Sequence, residues 1–273
     1  MNTSSSHQHV LVTGATGGIG RGICLSLIEH AKREQRHLTL SVASSRQGDK
    51  LNLLLAELRA TGTTVNGVAG NVTDPTQCRA LVEAAVAQGG DLNALVCVAG
   101  ASGPGRLADL PVEQWDLTFN LNARSVWLMA QAARPSLLRT QGSITAVASM
   151  SGLHPHPGYG AYSPAKAALV MLCRQLAQEW GPEGIRTNSV CPGMIRTPLT
   201  EAVYQDEDTL HRREALVPLG RIGRPDDIGQ AVAYLIGPGA SYVNGQNLVV
   251  DGGVSDHMLS MIPGRPGKAP VGQ

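Results

Sequence analysis

Aromatic side chains are scarce: Phe, Trp and Tyr make up 3% of the 273 residues, and phenylalanine occurs once. A core must therefore come from Val, Ile, Leu and Ala, which suits strands covered by helices on both faces. Charge is thin as well. Charged residues are 16% of the chain, and 22 Lys and Arg against 21 Asp and Glu leave a formal net charge of +1. No long run of either sign occurs. Binding to nucleic acid or to a membrane surface needs a basic field, so neither is expected. No window holds about 18 consecutive apolar residues, so no transmembrane helix is expected. The N-terminal MNTSSSHQH lacks the apolar segment of a secretory signal. Five cysteines (24, 78, 97, 173 and 191) are scattered with no CxxC pair. Their odd number and irregular spacing fit reduced, mostly buried thiols in a cytoplasmic protein, and no metal site is expected.

What is present is an alternation of strand and helix patterns. HVLVTG (9–14) reads as a strand, and 18–34 as a helix with Ile19, Ile23, Leu27 and Ile28 on one face. Further strands are expected at 37–44, 64–74, 92–100, 142–149, 185–193 and 245–253. Helices are expected at 49–62, from Asp74-Pro75 to about 88, at 111–138, 162–181 and 226–236. Pro135 falls near the end of the fourth of these and is expected to bend or close it. Such alternation implies right-handed crossovers and a mainly parallel sheet between helices. We expect one α/β domain over residues 9–255. A polar tail (1–8) and a Pro/Gly-rich tail (256–273) flank it; its segment 262–273 holds three prolines and three glycines and is expected to lack regular structure.

TGATGGIG (13–20) joins the first strand to the first helix. Its glycine spacing is GxxxGxG rather than GxGxxG, but the physics is shared: glycine permits a tight turn and close backbone approach, and the helix N-terminus attracts a pyrophosphate. A phosphate loop of the Walker type is excluded because no Gly-Lys-Ser/Thr follows. Far downstream, YSPAK places Tyr162 and Lys166 four residues apart, on one face of a helix. Pro164 between them is tolerable only if Tyr162 lies in the first helical turn.

The loop and the YSPAK pair, in that order, resemble the short-chain dehydrogenase/reductase family. The resemblance extends through CVAG (97–100), WDLTFNLN (115–122), Ser149, VCPGMIRTP (190–198) and GQNLVVDGG (245–253), nearly the whole chain. It implies a seven-stranded parallel sheet in a single α/β domain of Rossmann type, an NAD(P)-dependent exchange of carbonyl and secondary alcohol, and a homotetramer or homodimer. It also implies site residues. Tyr162 matches the general acid/base and Lys166 its partner, whose ammonium would favour the phenolate. Ser149, thirteen residues before Tyr162, matches the serine that bonds the substrate oxygen; Ser151 is its rival. Asn122, seven residues after Trp115, matches the asparagine that holds a water on a proton path; Asn120 is the rival.

For the dinucleotide the resemblance implies Gly14, Thr16, Gly18, Ile19 and Gly20 in the loop, and Ala99 and Gly100 after the fourth strand. Tyr162 and Lys166 join them, with Pro192, Gly193, Ile195 and Thr197 after the sixth; Thr197 and the Ile195 backbone would meet the carboxamide. Asn71 and Val72 would lie by the adenine, Asn71 standing where an aspartate is frequent but still able to accept from the adenine amine. A second departure is Cys97-Val98 in place of an Asn-Asn pair, which puts the local hydrogen bonds in doubt. At the end of the second strand an acidic residue would mark NAD. Here Ser44, Ser45 and Arg46 stand there instead, a set that would welcome a 2′-phosphate. We expect NADP(H), with NAD as the alternative.

Substrate-side candidates are His154, Tyr159 and Met194, with 198–217 as a mobile lid. Glu179 and Glu183 occupy the place where a carrier-protein reductase would want basic residues. A free small-molecule carbonyl or alcohol is therefore ranked above 3-oxoacyl-carrier-protein reduction and above an NAD-dependent alcohol, sugar or dihydrodiol dehydrogenase. A different class, a non-catalytic nucleotide-binding regulatory protein, is disfavoured because all four catalytic matches are retained. Association is expected through the helices at 111–138 and 162–180, with Trp127, Met129, Leu137, Met171 and Leu172 as candidate contacts.

Overall fold

A computed structural model describes residues 7–257; the expected unstructured stretch 262–273 lies outside the described residues. Seven strands alternate with helices. They are β1 (His7–Thr13), β2 (His37–Ser44), β3 (Thr64–Ala69), β4 (Ala94–Cys97), β5 (Ser143–Val147), β6 (Arg186–Pro192) and β7 (Asn247–Val250). Every pairing is parallel, in the order β3-β2-β1-β4-β5-β6-β7. Val12 lies between Val42 and Val96 in adjacent strands. The chain turns one way from β1 into β2 and the other way into β4, so a crevice opens beyond the carboxyl ends of these strands.

The short strands are apolar on both sides because both faces are covered. Val10 and Val12 pack on one face with α1 (Gly18–Arg33), α2 (Asp49–Arg59) and α9 (Pro225–Ile236). Leu11, Leu95 and Ile144 pack on the other with α3 (Pro75–Gly89), α5 (Ser125–Thr140) and α6 (Tyr162–Trp180). Each fully buried Leu or Ile contributes roughly 1.5–3 kcal/mol, so aliphatic packing suffices where aromatics are few.

Several boundaries differ from expectation. β1 starts at His7, because His7 and Gln8 pair with His37 and Leu38. β3 stops at Ala69, where Gly70 N–H donates to the Ser44 carbonyl and the chain turns. The helix expected at 111–138 is three pieces: α4 (Val112–Phe119), a π-helical turn (Asn120–Arg124) and α5. α5 runs through Pro135 to Thr140. Ser136 and Leu137 are buried beyond the proline, and the Ser136 hydroxyl accepts from Leu92 N at 2.7 Å, which holds the last turns in place. As expected, α3 is capped by Asp74, whose side chain accepts from Thr76 N and Gln77 N at 2.8 and 3.1 Å. Two short helices, α7 (Glu201–Tyr204) and α8 (Glu207–Ala215), interrupt the path from β6 to α9.

Of the candidate association residues, Trp127 and Met171 are exposed (40% and 58%). Met129 and Leu137 are not outward: they are 1% and 0% exposed and belong to the core under α5. Leu172 is half-buried and packs against the same core.

Candidate active site

A cleft of about 600 Å³ lies over the crevice. Its floor begins with the glycine loop. Gly14 has φ +64°, and a Cβ there would stand 2.6 Å from Ala99 N, so any side chain would wedge β1 from β4. A Cβ on Gly18 would come within 2.8 Å of Thr197 and Pro198, and one on Gly20 would collide with the Gly14 carbonyl. α1 starts at this point with no side-chain cap and no acidic residue in its first turn. Its first N–H groups are left for another acceptor, the arrangement that suits a pyrophosphate. Thr16 and Ile19 line the same space.

Beyond β4, Thr13 answers the doubt raised by Cys97-Val98. Its hydroxyl accepts from Val98 N and Ala99 N at 3.2 and 3.4 Å. Cys97 itself is buried, and desolvation pushes its thiol above the ordinary range. Gly100 has no room for a side chain, since a Cβ would lie 2.7 Å from Asn122 Oδ1 and 3.3 Å from Lys166 Nζ.

The expected catalytic positions meet here. Ser149 follows β5 in extended conformation, and its Oγ accepts from Ser151 N at 3.1 Å. Gly152 lets that turn press against the α6 backbone; a Cβ would fall 2.8 Å from the Lys166 carbonyl. Tyr162 is the first residue of α6, which makes Pro164 harmless as expected. Lys166 is 4% exposed, and its Nζ donates to the Val147 carbonyl at 2.9 Å, 5.7 Å from the Tyr162 ring centroid. Burial pushes the Lys166 ammonium down to about 8. Burial also raises the Tyr162 phenol, and the hydrogen bond with Ser149 pulls the other way. The expected downward pull of Lys166 on the phenol is not found: burial dominates, the lowering contribution comes from Ser149, and the amine is directed at Val147.

Asn122 is 1% exposed within the π-helical turn. Its Nδ2 donates to the carbonyls of Ala101 and Thr118 at 2.8 and 2.9 Å, whereas Oδ1 has no partner among the described residues. A buried acceptor without a partner beside Gly100 and Lys166 is a site for a water molecule.

Other expected residues fare differently. Ser44, Ser45, Asn71, Val72, Pro192, Gly193, Met194, Ile195 and Thr197 line the cleft with Tyr159. The Asn71 Oδ1 accepts from both Thr73 N (3.0 Å) and Thr73 Oγ1 (2.9 Å), so the oxygen expected to meet adenine is already engaged in a turn. Thr197 N donates to Thr200 Oγ1 at 2.9 Å, and that hydroxyl donates to the Ile195 carbonyl at 2.9 Å, so Thr200 organises both. Arg46 is exposed outside the cleft lining, because the chain leaves β2 into solvent after Ser45. It has no ion-pair partner among the described residues.

His154 is exposed and does not reach the cleft; His156 does. The reason is a fixed turn: His156 Nδ1 bonds Ser151 Oγ at 3.0 Å, and its ring lies tilted against Tyr159, 3.8 Å between centroids. The sequence reading also missed Tyr204 and Arg213, which come from α7 and α8. Tyr204 is 3% exposed, and Arg196 and Arg213 lie 6.0 and 5.6 Å from its ring centroid. Two arginines nine and eight residues away from one tyrosine carry no helical period, so only the folded segment reveals the cluster.

A glycine cradle at a bare helix start, beside half-buried Ser149 and Tyr162 and buried Lys166 and Asn122 at the switch point of a parallel sheet, defines a nucleotide-dependent oxidoreductase. Residues 14–255 match the family model described as enoyl-(acyl carrier protein) reductase. The chain is similar to an L-rhamnose 1-dehydrogenase (NAD(P)(+)) of a Sphingomonas species, 34% identical over 90% of this chain and 95% of that one. It is similar to the 3-oxoacyl-[acyl-carrier-protein] reductase FabG of Staphylococcus aureus, 32% identical over 90% of this chain and 98% of that one. Among solved structures, a variant of the actinorhodin polyketide ketoreductase with NADPH superposes with a TM-score of 0.85, at 32% identity over 93% of this chain and 100% of that one. The chain belongs to the short-chain dehydrogenase/reductase family of NAD(P)-dependent oxidoreductases.

Proposed function

We propose that the protein interconverts a carbonyl and a secondary alcohol on a free small molecule, with NADP(H) as the preferred partner. The observation that carries this reading is the meeting of Ser149, Tyr162, Lys166 and the unpartnered Asn122 Oδ1 in one cleft. When bound, the nicotinamide supplies or takes the hydride. The protein's own groups handle the oxygen. Ser149 donates a hydrogen bond to it, and Tyr162, a phenol held protonated by burial, gives it a proton in the reductive direction. Lys166, with its ammonium pushed down to about 8, can return a proton near neutral pH, and a water on Asn122 Oδ1 would link it to solvent.

The choice of NADP(H) rests on the end of β2, where Ser44 and Ser45 line the cleft, no carboxylate stands, and Arg46 has no ion-pair partner among the described residues. Swinging inward, Arg46 would form a charge-assisted bond to a 2′-phosphate. The choice of a free substrate rests on the end of α6, where Glu179 and, just past it, Glu183 stand; Glu183 takes up Arg134 at 2.6 Å, so that arginine is not offered to an acidic carrier. The reductase names among the relatives favour the carrier-bound reading, so a 3-oxoacyl carrier substrate is the rival. Five free, buried cysteines suit a reducing cytoplasm. A homo-oligomer is proposed from Trp127 and Met171, with Trp115 and Leu117 of α4 also exposed at 37% and 56%.

The test is turnover of a panel of ketones, secondary alcohols, L-rhamnose and a 3-oxoacyl carrier thioester, each with both nicotinamides. Free ketones reduced with NADPH faster than with NADH would support the proposal. A preference for the carrier thioester would replace it with the rival, and cofactor binding without any turnover would favour a non-catalytic role.

A further inference from the structure

The substrate end of the cleft has a charge pattern that the catalytic set does not explain. Among the described residues that line the cleft there is no Asp or Glu, and the only arginine is Arg213 of α8. Lys166 is committed to the floor through Val147. Arg213 is half-buried, lies over the buried ring of Tyr204, and has no ion-pair partner among the described residues. Its neighbour Arg196, across the same ring, is neutralised by Glu201 at 2.6 Å. One arginine of the pair is thus spent on a surface ion pair, and the other faces the cavity. His156 lines the same cleft, held by Ser151 and tilted against the Tyr159 ring. The two groups feel each other: the His156 imidazole is held below its ordinary value by burial first and by the Arg213 charge second. A half-buried guanidinium that lines the cleft with no carboxylate beside it is free to take an anion from a ligand.

We infer that Arg213 is a specificity-determining residue that binds a carboxylate on the substrate, so that the protein acts on oxo acids or their hydroxy-acid counterparts. The inference rests on the oxidoreductase reading for the reacting carbonyl but not for the anion site. A carboxylate fits better than a phosphate monoester, because the single arginine lining the cleft balances one negative charge and not two. Arg213 offers two parallel N–H groups to a carboxylate, and its guanidinium carbon lies over the Tyr204 ring, 5.6 Å from the centroid. Because α8 lies in the segment between β6 and α9, substrate capture would also hold that segment against the cleft.

The experiment compares 4-oxopentanoate and 5-oxohexanoate with their methyl esters in the wild type, Arg213→Gln and Arg213→Lys. The readouts are kcat/KM with NADPH and calorimetric binding to the cofactor-loaded protein. The wild type should prefer acid over ester, and Arg213→Gln should lower that acid-to-ester ratio by about ten- to a hundredfold. Arg213→Lys, which keeps the charge without the fork, should recover part of the ratio, and added salt should erode it. Arg213-dependent binding of the acids without turnover would uphold the anion site while sinking the oxidoreductase reading. An acid-to-ester ratio near one in the wild type, a ratio unmoved in Arg213→Gln, or a ketose phosphate preferred to every oxo acid would overturn the inference.

Discussion

Replacing Lys166 with methionine separates what the buried amine does for the reaction from what it does to the fold. Lys166 is 4% exposed, and burial pushes its ammonium from an ordinary 10.5 to about 8. A depressed value in the folded state means that the unfolded chain binds the proton more tightly between about pH 8 and 10.5. Stability therefore rises with pH across that window, and the cost of the buried charge is fully present below it. The cost at pH 7 is roughly 3 kcal/mol, from the pKa difference at about 1.4 kcal/mol for each factor of ten. Methionine has similar reach and no charge, so it removes this cost. It also leaves the Val147 carbonyl without the 2.9 Å bond, a loss of about 1–3 kcal/mol. The variant should thus be as stable as the wild type at pH 7, or more so by up to ~2 kcal/mol. By pH 9.5 it should have lost about 2 kcal/mol of that relative advantage. Urea melts of both proteins at pH 7 and 9.5 measure the difference, in which all other titrating groups cancel, and turnover at pH 7 should be largely abolished. Parallel stability profiles in the two proteins would refute the argument, because they would mean that Lys166 titrates in the fold as it does in water.

Tyr162→Phe should remove at least ~100-fold of kcat, the scale of a lost general acid, while cofactor affinity by fluorescence titration stays near that of the wild type; retention of more than a few per cent of the rate would reject the role. Arg46→Ala should weaken NADPH about ten- to a hundredfold and NADH far less; equal small effects on both would assign Arg46 to solvent. Gly14→Ala should cost about 1–2 kcal/mol for the left-handed backbone alone, and more from the contact with Ala99 N at 2.6 Å, lowering both the melting temperature and cofactor binding. Light scattering should show a dimer or tetramer at micromolar concentration; a fully active monomer of about 29 kDa, the mass of the chain, would contradict the association proposal.

Features that are local in the chain were legible without the structure. The alternation of apolar strands and amphipathic helices implied the parallel sheet, since a strand that is apolar on both sides has to be covered on both sides. The glycine loop and the four-residue step from Tyr162 to Lys166 were equally plain, because backbone approach and helical period depend on neighbours within a turn or two. Even the cap at Asp74 followed from the residue pair itself.

Features that depend on what lies across a gap were decided only by tertiary structure. A π-helical turn, which no periodicity announced, aims Asn122 at Gly100 and leaves its Oδ1 without a partner among the described residues. His154 and His156 are equivalent in composition, but Ser151 and Tyr159 hold only the second in the cleft. Met129 and Leu137 turn inward because α5 presents that face to the sheet, whereas Trp127 stays out. Arg213 gains its meaning from the Tyr204 ring and from His156 in the same cleft, partners brought together by the fold from three segments. The charge states of Tyr162 and Lys166 belong to this second group as well. A sequence lists the ionisable groups, but burial sets the energy of charging them, and burial exists only once the chain has closed around them.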